Sequence, residues 1–243
     1  MSRTAIETGL ITLVMIALAS GAQAQSVALD LGGDGSVTAR TVQLFALVTV
    51  LSLAPGLAIM ITCFPFLITV LSILRQAIGV QQAPPNMLLV SLALFLTWFI
   101  MEPTFRSAWD LGISPLIDGR LEMEAGFDRA IAPFRGFMLN RVDPDTIATL
   151  ADARGLAVPD GEATPLEMLV PAFMLTEVQR GFEVGFLIFL PFLVIDLVIA
   201  AILMSMGMMM VPPAVVSLPF KLAFFVLADG WSMLAGALIR SYS

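Results

Sequence analysis

The residues 184–213, VGFLIFLPFLVIDLVIAAILMSMGMMMVPP, carry one charge, Asp196, and one internal proline, Pro191, in an otherwise apolar run that ends on Pro212-Pro213. Its last part holds five methionines in seven residues, from Met204 to Met210. Three readings compete for them: soft core packing, a soft-metal site, or a deformable surface. On a helix Met206 and Met210 share one face and Met208 lies opposite, while the alternation of Met204, Met206 and Met208 suits a strand or loop. Gly207, Pro212 and Pro213 predict a loop or a broken helix. Thioethers can hold Cu(I), but no histidine or cysteine stands nearby. Flexible, polarisable methionines suit a surface that accommodates many shapes.

Outward from this stretch the chain has membrane character. Of its 243 residues 58% are hydrophobic and 13% charged, where a soluble domain carries about 25% charged residues. Histidine is absent and Cys63 is the one cysteine. That excludes an internal disulfide, a Cys/His zinc site and a Ser-His-Asp triad. No enzyme activity, cofactor or metal is expected. The net charge is −7, most of it between Glu102 and Glu167. With no basic patch, nothing points to nucleic acid.

The first 24 residues read as a signal peptide. Arg3 precedes an apolar run from Leu10 to Ala19, and Ala22-Gln23-Ala24 fits a cleavage site between Ala24 and Gln25. The competing reading is an uncleaved first transmembrane helix, but ten apolar residues are fewer than the ~20 a span requires. Residues 25–41 then form a flexible exported leader. A first apolar run, Val42 to Leu74, would be about 50 Å long as one helix, so kinks are expected at Pro55 and Pro65. A loop from Arg75 to Asn86 follows, then a short apolar segment, Met87 to Met101, ahead of Glu102-Pro103. The last segment, Val215 to Leu227, contains Pro219 and Lys221. These interrupted segments predict helices that pack chiefly on other helices. The domain reading is 42–101, a first apolar helical hairpin block; 102–170, an acidic helical periplasmic insert; and 171–243, a C-terminal apolar helical hairpin block with the methionine-rich loop.

Within the insert, Asp143-Pro144-Asp145 predicts a helix start and Gly155 its end. Phe127, Ile131, Phe134 and Met138 make one apolar stripe. Thr164-Pro165-Leu166-Glu167 reads as a capping box, with a kink to follow at Pro171. Asp196, Lys221 and Asp229 are the isolated charges of the C-terminal half and are expected to be buried. Asp196 and Lys221 would lie on two arms of a hairpin, paired within one chain or between subunits, as a static ion pair or as part of a proton relay. With the turn at Val211 to Pro213, their depths differ by about 9 Å. Glu177, Arg180 and Glu183 form a charged strip, either a solvated face or an intersubunit contact.

Two stretches, "CFPFLITVLSILRQAIGVQQAPPNMLLVSLALFLTWFIMEP" (63–103) and "PAFMLTEVQRGFEVGFLIFLPFLVIDLVIAAILMSMGMMMVPPAVVSLPFKLAFFVLADGW" (171–231), resemble the FliP family of the flagellar type III protein export gate. The resemblance implies an all-α, membrane-associated chain of proline-broken helical hairpins around a soluble helical insert. It implies a pentameric ring-shaped pore built with FliQ and FliR, with FlhB as a further partner and unfolded flagellar proteins as cargo. It also implies a multi-pass inner-membrane location in the flagellar basal body. Carried over, the family's pore gasket falls on Met206, Met208, Met209 and Met210. Gln179 stands where the family often has lysine, and the basic residue here is Arg180. The alternatives from other classes are a metal or small-solute transporter using the methionines, and a passive assembly scaffold.

Overall fold

The computed structural model describes residues 37–80, 84–159, 161–208 and 210–242. The signal sequence, its cleavage site at Ala24 and Gln25, most of the leader, and Met209 lie outside them. The described residues are helical, with no strand among them. The chain divides into residues 1–49 and residues 50–243. The described part of the first unit is the beginning of helix α1 (Val37–Met60), with Val42, Phe45 and Val48 exposed.

The second unit continues with α2 (Phe64–Ile78), α3 (Asn86–Ala108), a π-turn (Trp109–Ile113) and α4 (Ser114–Ile117). The insert supplies α5 (Met123–Leu139) and α6 (Pro144–Ala153), and the C-terminal half supplies α7 (Leu166–Ser205), α8 (Pro213–Leu227) and α9 (Gly230–Arg240).

The first apolar run breaks at residues 61–63, not at Pro55. Helix α1 runs through Pro55, while Pro65 occupies the first turn of α2, where its missing N–H has no intrahelical partner to lose. Gly79, at φ 85°, ends α2. The Arg75 guanidinium then reaches Asn86, at the start of α3, across the loop. The apolar segment Met87 to Met101 does not stop before Glu102-Pro103 but continues through Pro103, so α3, the π-turn and α4 make one helical run from Asn86 to Ile117. The domain boundaries drawn at 41, 101 and 170 therefore fall inside α1, α3 and α7.

Helix α7 has 40 residues and is about 60 Å long. It absorbs Pro171 and Pro191 without a break. The capping box does not form. Pro165 takes the cap position, and the buried Thr164 hydroxyl makes no hydrogen bond. The start of α6 is as expected, with Asp143 accepting from the Asp145 N–H at 3.1 Å. Its end is set by Gly155 at φ 64°, with the Leu156 N–H donating to Ala151 at 2.9 Å. Of the α5 stripe, Met138 is buried but Phe127 is 63% exposed.

Helix α2 lies along α7 with the same chain direction. A Cβ on Gly181 would meet Thr69 Cβ at 2.9 Å, and one on Gly185 would meet Ile73 Cδ1 at 2.4 Å. Two glycines one turn apart let the helix backbones approach closely. The other face of α2 is core. Phe66, Leu67, Val70 and Leu71 pack with Leu89, Ala93 and Met101 of α3 and Leu238 of α9. A second cluster joins Met138, Ile147 and Ala151 of the insert to Leu169, Ala172 and Phe173 of α7.

Among the described residues, two helical runs are long and apolar enough to cross a membrane, Asn86–Ile117 and Leu166–Ser205. The pair α8–α9, bent by 62°, makes a third if it acts as one broken span.

Replacing Gly185 with alanine should destabilise the α2–α7 contact by about 1–3 kcal/mol, the usual cost of overpacking. The same change at Gly136, where a Cβ meets nothing within 4 Å, should be neutral or stabilising. Thermal unfolding of the two variants in detergent makes the comparison.

Candidate functional site: the methionine turn and its ion-paired base

Helix α7 stops because Gly207 adopts φ 75°. The Met208 N–H then donates to Leu203 and the Gly207 N–H to Met204, each at 3.0 Å. This is the hydrogen-bond pattern of a glycine-terminated helix, which satisfies carbonyls that would otherwise be orphaned. Pro212 and Pro213 open α8 on the other side, with Pro213 in its first turn. The turn between them carries Met206 at 65%, Met208 at 38% and Met210 at 97% exposure. Met206, Met208 and Met210 are therefore not core filler in the single chain. Cys63, the one thiol, is elsewhere, in the α2–α3 core.

Below the turn the hairpin is pinned. Lys221 Nζ lies 2.6 Å from Asp196 Oδ2 and donates to the carbonyl of Ala77 at 2.9 Å. Asp196 Oδ1 accepts from Ser217 at 2.5 Å. The depths match because α7 ends earlier than a turn at Val211 to Pro213 would have it, while α8 begins at Pro213. Asp196 is nine residues before Ser205 and Lys221 eight after Pro213, which leaves them level to within about 1.5 Å. Ala77 belongs to the last turn of α2, where carbonyls lack intrahelical donors and the helix dipole favours a cation. One buried ammonium thus ties α2, α7 and α8 together. Asp229 differs from its expected role. It is exposed, at φ 48°, and accepts from the Ser232 hydroxyl at 3.0 Å.

The charged strip splits in two. Glu177 is fully buried, so it belongs to no surface of the chain. Arg141, in the turn between α5 and α6, approaches its carboxylate at 3.2 Å, and the Tyr242 hydroxyl donates to its other oxygen. Arg141 also donates to the Ser241 carbonyl at 2.7 Å and lies 4.0 Å over the Tyr242 ring. Burial, then the Glu177 charge, push the Tyr242 phenol upward, so it remains a donor. Glu183 is exposed and accepts from Gln179 at 3.1 Å, and Arg180 is half-buried. The sequence held a signal for this split. Phe173, Glu177, Gly181 and Gly185 recur every fourth residue, so Glu177 lies on the packed stripe of α7. Tyr242, in the last turn of a polar tail, gave no such sign.

This geometry defines a class: an all-helical, membrane-type chain in which a buried lysine ties the second hairpin to the end of α2, a buried glutamate ties it to the insert, and the longest hairpin ends in an exposed methionine turn. The FliP family profile matches residues 47–238. The protein called flagellar biosynthetic protein FliP in Caulobacter vibrioides is 51% identical over 99% of this chain and 91% of its own length. Its namesake in Agrobacterium fabrum is 48% identical over 95% of this chain and 96% of its own length. That of Bacillus subtilis is 41% identical over 86% and 95%. The chain belongs to the FliP family.

Removing the buried carboxylate by Glu177→Ala leaves the Arg141 charge unpaired and should cost about 3–5 kcal/mol. Tyr242→Phe, which deletes one hydrogen bond, should cost about 1–2 kcal/mol. Thermal unfolding in detergent ranks the two. Burial pushes the Cys63 thiol up to about 12, and the thiolate is the reactive form. The folded chain should therefore resist maleimide at pH 8 and react once denatured, as mass spectrometry would record.

Proposed function

We propose that this chain is a pore-forming core subunit of the flagellar export gate, and that its methionine turn is the seal of that pore. As a member of the FliP family, it is a component of flagellar type III protein export. That family is one of structural and channel proteins rather than enzymes, and it works with other parts of the export apparatus. The metal or solute transporter reading is not favoured, since relatives across nearly the whole chain are flagellar proteins.

In the proposed assembly five copies form a ring with FliQ and FliR, next to FlhB, in the inner membrane at the basal body. Unfolded flagellar proteins pass along its axis. The observation that carries the sealing role is the contrast within one hairpin. Its base is fixed by Lys221 and Asp196, while Met206 and Met210 stand exposed at its tip. A ring of such tips would bring unbranched apolar side chains around one axis. They can pack against one another at rest and repack around a passing chain, because thioethers change rotamer at little cost. Arg180 and Glu183, left outside the buried network, are available to a neighbouring copy.

Replacing Met208, Met209 and Met210 with alanine should raise ion leak across the inner membrane while flagellin export continues. A membrane-potential dye and an assay of secreted flagellin read the two quantities. Unchanged leak would sink the sealing role.

A further inference from the structure

An apolar slot of about 440 Å³ lies between α7 and the bent pair α8–α9, floored by α2. Phe66, Ile188, Phe192 and Phe225 make its walls, and Ala237 and Ser241 of α9 line it towards the C-terminus. Ser241 is the one polar residue of the lining, and its hydroxyl already donates to Leu238 at 2.7 Å. The slot therefore offers a polar guest no free side-chain partner. Its size falls within the range of small-ligand pockets. It is small for a protein guest, since an α-helix about 10 Å across fills roughly this volume in one turn. On one side stands α7, long enough to cross a membrane, and on the other the pair α8–α9, which is apolar and long enough when it acts as one broken span, so acyl chains are the apolar material at hand.

Charge singles out one end. Arg141 donates to the Ser241 carbonyl but is neutralised by the buried Glu177. Arg240, next to Ser241, is exposed and forms no ion pair with another described residue. Its guanidinium folds back along α9, where a Cβ on Gly236 would come within 3.1 Å of it. An uncompensated cation thus sits on the helix that lines the slot, one residue from the slot's end. We propose that the slot holds one acyl chain of an anionic phospholipid, with the headgroup phosphate on Arg240.

The test uses the full chain extracted together with its gate partners into nanodiscs. The probe is phosphatidylglycerol or phosphatidylcholine with a photoreactive diazirine in the tail, and labelled peptides are mapped by mass spectrometry. Labels are expected on residues 184–192 and 225–241, with phosphatidylglycerol favoured. Ala237→Trp should reduce this labelling about fourfold for each methylene it displaces. Leu227→Trp, at a site 87% exposed and outside the slot, should leave it unchanged. Arg240→Gln should cut the preference for phosphatidylglycerol about fivefold and keep the tail in place. Labels confined to outward-facing residues such as Val194 and Leu197, or labelling that survives Ala237→Trp, would overturn the acyl-chain site. So would a disulfide formed between two copies carrying Ala237→Cys, since protein would then cover the slot. Equal labelling by both lipids would overturn the headgroup contact.

Discussion

The ammonium group of Lys221 is shared between the Asp196 carboxylate and the carbonyl of Ala77 at the end of α2, and the second hairpin depends on that sharing. A lysine among apolar residues is costly unless its charge is paired and its donors are used. Here the cost is offset by a carboxylate on one helix and by the orphan carbonyl and dipole of another. Neither partner alone would join more than two helices. With both, the hairpin α7–α8 is keyed to the end of α2, and its register cannot slip by a turn without stranding the charge. The depth difference of about 9 Å expected from the sequence disappears because Gly207 ends α7 several residues before the prolines. The turn consumes residues that a simple count assigns to the arms.

A second buried charge does the same at the other end of α7. Glu177 receives Arg141 from the insert and Tyr242 from the C-terminal tail. The acidic insert is thus an integral part of the core, joined to α7 by an ion pair and by the cluster around Phe173 and Met138. Between these two anchors α7 packs through Gly181 and Gly185, which give it the closest approach to α2. Much of the rest of its surface is exposed apolar side chain, including Phe182, Phe186, Val194 and Leu197. That surface requires lipid or other protein to cover it.

The turn at the top of the hairpin gains meaning from this rigidity. Methionines on a mobile scaffold would collapse onto the nearest apolar surface. Held on the end of a pinned hairpin, Met206 and Met210 stay exposed, as the proposed seal requires. The prolines on one side and the left-handed glycine on the other keep the turn from being absorbed into either helix.

The sequence by itself determined the helical class, the membrane-type composition, the family, and the hairpin whose tip is methionine and whose arms carry Asp196 and Lys221. Those follow from local rules: apolar runs, turn residues, and the cost of a lone charge. Tertiary structure decided which prolines break a helix. Pro55, Pro103, Pro171 and Pro191 are carried inside continuous helices, since the loss of one backbone hydrogen bond can be outweighed by packing along the whole element. It also decided the fate of each charge. Glu177, Arg180 and Glu183 are spaced as one strip, yet Glu177 is buried, because its partners, Arg141 and Tyr242, come from 36 and 65 residues away. A pattern of residues along a helix records which face they share. Whether that face meets water, a core or a neighbour depends on chain that the pattern does not contain.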